Sequence, residues 1–128
     1  MARQNKASDI DFEIKFYENI LKESPDFVEA LMVSGELYTR AGFYEKGLGV
    51  DQRLSRLRPE DGTVFYNLAC SYSLLNRIDE AVSSLARAID LGYREWQFMS
   101  SDPDLKNLHG DNRFRELLEK SRGSKTPK

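Results

Sequence analysis

Residues Gly62–Glu95 read GTVFYNLACSYSLLNRIDEAVSSLARAIDLGYRE, and the stretch before them, Val28–Asp61, reads VEALMVSGELYTRAGFYEKGLGVDQRLSRLRPED. The two align without a gap at 34 residues each, and Pro25, Pro59 and Tyr93 stand 34 apart. A fixed period of that size marks a repeat whose units stack to bury their apolar faces. Each unit reads as two helices joined by a short turn, so successive helices pack antiparallel.

Local signals place the helix ends. Asp61 opens a helix that closes near Asn76, and Asp79 opens another that closes at Gly92. In the earlier unit Asp26 with Glu29 marks a start and Gly42 a stop; a second helix covers about 44–57 and ends before Pro59. Upstream, Ser8 with Asp11 reads as the cap of a helix to about Glu23. Its Phe12, Phe16, Tyr17, Ile20 and Leu21 fall at helical spacing. Downstream, 94–100 reads as a short helix and Asp102-Pro103 as the cap and first position of another. His109-Gly110-Asp111 is a turn, and 112–120 carries Phe114, Leu117 and Leu118 at helical spacing.

These residues make the chain similar to the tetratricopeptide-repeat (TPR) family. The second unit carries Phe65, Leu68, Ala69, Tyr72, Ala81, Leu85 and Ala88; the first carries Leu31, Gly35, Tyr38, Gly47 and Pro59. The resemblance implies an all-α fold, a short right-handed α-solenoid of antiparallel helix pairs with capping helices. Small residues such as Gly35 and Ala69 then stand where helices cross closely, and Tyr38 and Tyr72 fill the gap inside a pair. One domain is expected over 9–121: a half-repeat 9–27, repeats 28–61 and 62–95, and a degenerate capping segment 96–121. Residues 1–8 and 122–128 are expected to be disordered. Ser34, Asp51 and Leu54 depart from the family pattern. Asp51 is either buried with a partner or, as we expect, turned outward by a helix rolled to bury Val50, Leu54 and Leu57.

Composition excludes several function classes. The 128 residues carry 19 basic and 21 acidic side chains, a net charge of −2, which gives no electrostatic footprint for nucleic acid. The single cysteine, Cys70, allows neither an internal disulfide nor a cysteine-based metal site. No apolar stretch approaches the roughly 18–20 residues that span a bilayer, and the first residues lack a signal peptide's apolar core. A cytoplasmic protein with no membrane partner is expected. Lone His109 sits in a polar turn, and Cys70 has no base in sequence reach. Phosphate-cradling, nucleophile-elbow and metalloprotease motifs are missing. No enzyme, cofactor or metal site is expected. Arg53, Arg56 and Arg58 read as a solvated face at a helix C-terminus, with an acidic partner contact as the alternative.

The resemblance also implies that the first helices of the repeats line a concave groove for a peptide or partner helix. Carried over by position, that groove holds Met32, Glu36 and Arg40, then Thr63, Tyr66, Asn67, Cys70 and Leu74. Asn67 is the sharpest candidate, since an amide offers donor and acceptor to an extended chain; a bond to a neighbouring helix is its other reading. Met32, Tyr66 and Leu74 are either adaptable apolar contacts or packing beneath the C-terminal helices. Members that clamp acidic chaperone tails need basic residues where this chain has Met32, Glu36, Gln97 and Ser101, so no such carboxylate clamp is expected. The expected function is an adaptor that binds another protein or peptide. The alternative is a homodimerising scaffold that self-associates through an unpaired end helix.

Overall fold

In the computed structural model, residues 6–125 are described, with side chains over 9–120. The helices are α1 (Lys6–Glu23), α2 (Val28–Ala41), α3 (Tyr44–Leu57), α4 (Gly62–Leu74), α5 (Ile78–Asp90), α6 (Trp96–Ser101) and α7 (Asn112–Lys125). A 3-10 helix, Pro103–Leu108, lies between the last two. No strand occurs among the described residues. Residues 6–8 and 122–125 are helical where disorder is expected; 1–5 and 126–128 lie outside the described residues.

The stops and two of the starts follow local chemistry. Gly42 and Gly92 take φ of 86° and 107°, the left-handed region a glycine enters without a Cβ penalty. Asp61 accepts from the backbone N–H of Thr63 and Val64 at 2.9 and 3.3 Å, satisfying donors that the first turn of α4 leaves open. Asp102 caps the 3-10 helix through the Asp104 N–H at 3.0 Å, with Pro103 next. Three expected caps are corrected. Ser8 lies inside α1, and α2 and α5 start after Phe27 and Arg77 with no side-chain cap. Asp26 instead receives the Arg53 guanidinium at 2.6 Å, and Asp79 that of Arg113 at 2.9 Å. Asp26 lies one residue before the N-cap position of α2 and Asp79 inside the first turn of α5, so neither stands where a side chain caps.

The backbone packs as two compact units that divide between Pro59 and Glu60, where the sequence reading treats 9–121 as one domain. In the first unit α2 packs against both α1 and α3. Its central cluster is Ile14, Leu37 and Tyr38, with Tyr17, Val33 and Val50 partly buried around it. Asp51 is corrected: it is 7% exposed, and α3 buries Gly47, Leu48, Asp51 and Leu54. Gly35 explains why no roll is needed. A Cβ there would stand 3.2 Å from Asp51 Oδ1 and 3.3 Å from Val50 Cγ1, so the missing side chain makes room for the carboxylate. Asp51 is not left without a partner, as burial of a charge requires.

In the second unit α4 and α5 form the principal pair, and the 3-10 helix packs on both. Ala69, Ala81 and Ala88 are fully buried, which lets the helix axes approach. At the start of α4, a Cβ on Gly62 would meet the Ala88 carbonyl at 3.1 Å. Met99, Leu105 and Leu108 are fully buried beside Leu85. The C-terminal segment is therefore part of this unit's core.

Candidate functional site

In the first unit, Met32 is 40% exposed and Glu36 and Arg40 are exposed on the same face of α2. Those positions, four residues apart, recur on one side of a helix. Glu36 and Arg40 form an exposed ion pair at 3.8 Å, a contact that contributes little in water and leaves both groups open to a ligand.

In the second unit the expected contacts separate. Thr63 and Asn67 are exposed, and Leu74 is half-buried. Tyr66 and Cys70 are buried, which corrects their place in an open groove and gives Tyr66 its other reading, packing beneath the C-terminal segment. The Tyr66 hydroxyl donates to Asp102 Oδ2 at 2.5 Å, and Cys70 Sγ stands 3.8 Å from the same oxygen. The Tyr66 ring stacks on Tyr93 with centroids 4.3 Å apart, and Phe98 lies 6.0 Å away. A turn further on, Asn107 Nδ2 donates to the Ser73 carbonyl at 2.8 Å. This face of α4 is occupied by the chain's own C-terminal segment.

Electrostatics fit that closure. Burial, then the nearby Cys70 and the Asp102 hydrogen bond, pushes the Tyr66 hydroxyl far above the usual tyrosine range and keeps it a neutral donor. Burial and the neighbouring Glu95 push Tyr93 up to about 12. The Asp104 carboxyl is raised by burial and then by the Asp102 charge. Sequence reading finds Asp102 only as a cap. That role uses Oδ1, and no local signal tells where Oδ2 points.

An open hollow of about 540 Å³ lies at the N-terminal end of α4, lined by Asp61, Thr63, Leu91, Tyr93, Arg94 and Glu95 among others. His109 is exposed and stacks on Phe114 with centroids 5.5 Å apart. Among the described residues, no group of three His, Cys, Asp or Glu side chains is placed to hold a metal. No described helix is long and apolar enough to cross a membrane.

No family profile matches the chain. It is 36% identical over 87 residues to a chloroplastic protein of Arabidopsis thaliana, covering 66% of this chain and 26% of that protein. It is 35% identical over 86 residues to human Tetratricopeptide repeat protein 13, covering 63% of this chain and 10% of that protein. The chain thus spans about a quarter and a tenth of the length of these relatives. Among solved structures, MamA from Desulfovibrio magneticus RS-1 (residue 41 to the end) superposes with a TM-score of 0.67 at 19% identity, covering 93% of this chain and 70% of that one. A double mutant of MamA RS-1 gives 0.65 at 19% identity, over 91% and 69%. At that identity the likeness speaks for the fold alone. The 34-residue period, the helix pairs that it encodes and the likeness to the human relative together support a tetratricopeptide-repeat-like family for the chain.

Proposed function

We propose that the chain is a protein-interaction module that binds a peptide or partner helix through the exposed faces of its first helices. The observation that carries this reading is the open face of α2, where Met32, Glu36 and Arg40 combine an adaptable apolar side chain with two charges. Thr63 and Asn67 on α4 belong to the same reading, with the Asn67 amide as the backbone-directed contact. Tyr66 and Cys70 drop out of the contact set, because the chain's own segment covers them. Glu29 and Glu36 on α2 oppose an acidic tail, so a chaperone-tail clamp stays outside the proposal. Cytoplasmic residence, without catalysis, belongs to it and rests on the sequence.

Partner capture by the full chain tests it, wild type against Met32→Ala/Glu36→Ala and, separately, Asn67→Ala. Circular dichroism must show equal helicity. Loss of the partner with either variant supports the reading. Full retention with both moves binding to another surface.

A second reading has its own support. Phe12 and Phe16 on α1 are 72% and 50% exposed, apolar area that a lone soluble unit gains nothing by showing to water. Self-association through that helix predicts a concentration-dependent mass in light scattering that Phe12→Ser/Phe16→Ser abolishes. A constant monomer mass for the wild type excludes it.

A further inference from the structure

On the first unit, the Lys46 side chain sits against a carboxylate from α1, an aromatic ring from α2 and a second ring from the turn before α3. Its ammonium lies 5.6 Å from the Tyr38 ring centroid and 5.8 Å from that of Phe43. It is 3.9 Å from Glu18 Oε2. That oxygen also accepts the Tyr38 hydroxyl at 2.6 Å, which ties ring and carboxylate into one arrangement. Both ring distances fall within the roughly 6 Å over which an aromatic face attracts a cation.

The walls and the occupant differ in how firmly they are held. Tyr38 is 7% exposed and packs in the cluster between α1 and α2. Phe43 precedes α3, where its carbonyl accepts the Gly47 N–H at 3.0 Å. Lys46 is held only by surface contacts, and its side chain is 64% exposed. Tyr38 and Glu18 are thus held to each other, Phe43 is 46% exposed and open to a ligand, and the present occupant can leave for water at low cost.

We propose that Tyr38, Phe43 and Glu18 form a binding site for alkylammonium groups, self-occupied by Lys46, which a lysine or methyllysine side chain of a partner displaces. Exchange of one ammonium for another conserves charge in the site. A methylated ammonium is the better occupant, because rings recognise a weakly hydrated cation most effectively. None of the three residues belongs to the faces proposed above for peptide binding, so the site stands or falls separately.

The test uses the full chain and tetramethylammonium chloride as the probe, with the ring resonances of Tyr38 and Phe43 followed by NMR. Potassium chloride at equal ionic strength is the control for screening. Lys46→Met removes the occupant and keeps an apolar stem. It is expected to bind the probe about two- to fivefold more tightly than wild type. Adding Phe43→Ala, or separately Glu18→Gln, to Lys46→Met is expected to weaken binding again at unchanged helicity. The proposal is overturned if Lys46→Met shows no saturable shift, if it binds no more tightly than wild type, or if potassium produces the same shifts.

Discussion

At register positions 34 residues apart, Met32 in the first unit is 40% exposed and Tyr66 in the second is 3% exposed. Glu36 and Cys70 differ in the same way. The second unit covers this face of α4 with its own C-terminal segment, whose Met99, Leu105 and Leu108 are fully buried. Among the described residues the first unit has a smaller cluster, Ile14, Leu37 and Tyr38, with Leu31, Leu48 and Leu54 also buried, and it shows Phe12, Phe16, Phe27, Met32 and Phe43 to water. In the second, Phe98 is the only such large exposed apolar side chain among the described residues. A shared repeat therefore does not decide whether a surface is core or interface. What lies against it does.

The contrast is most exposed to test at Leu105. Leu105→Ala should cost about 2–5 kcal/mol, because it opens a cavity in a filled core. Leu37→Ala in the smaller cluster should cost near the low end, about 2 kcal/mol. Urea midpoints measure both, and an unchanged midpoint for Leu105→Ala would erase the contrast.

Asp102→Ala ranks next. It strips a cap and leaves the buried Tyr66 hydroxyl without its acceptor, for a loss of about 2 kcal/mol. Asp102→Asn should recover part of it.

The first unit has an alkaline signature of its own. Burial and then Glu18 push the Tyr38 hydroxyl up to about 12 from 10.0. The folded state therefore holds a proton that the unfolded chain has released. That contribution is complete below pH 10 and is lost as pH rises through about 12, a fall of about 1–2 kcal/mol. Tyr38→Phe should remove this component of the pH dependence in urea titrations at pH 9, 10.5 and 12. An identical alkaline fall in the variant would assign it elsewhere.

The smallest effect separates two glycines. Gly49→Ala in α3 meets nothing within 4 Å and should stabilise by about 1 kcal/mol through helix propensity. Gly35→Ala meets Asp51 and Val50 at 3.2 and 3.3 Å and should forfeit that gain. Thermal midpoints that rise equally would show that Asp51 has slack.

How legible each feature was depended on its range. Gly42, Asp61, Gly92 and Asp102-Pro103 act on backbone groups within a few residues, so their types in order were enough to read. The site was harder. Met32, Glu36, Arg40, Thr63 and Asn67 do stand exposed on their helices, since helical register alone sets that side. Whether a register position stays open depends on a segment 30 or more residues away, and that is what decided between the two readings of Tyr66 and took Cys70 out of the groove. Asp26 and Asp79 failed as caps because α2 and α5 begin at Val28 and Ile78, a shift of one or two residues that type and order do not fix; the two carboxylates meet Arg53 and Arg113 instead.

The sequence by itself determined the all-α class, the helix pairs and their period, because periodicity, glycine stops and proline breaks act locally. It also put Met32, Glu36 and Arg40 on one side of α2. Only the tertiary structure decided that Asp51 lies beside Gly35, that Asp102 fastens the C-terminal segment over Tyr66, and that Lys46 rests between two rings and Glu18. Each of those turns on ångström-scale fit and on competition among partners distant in the chain, and a pattern of residue types encodes neither.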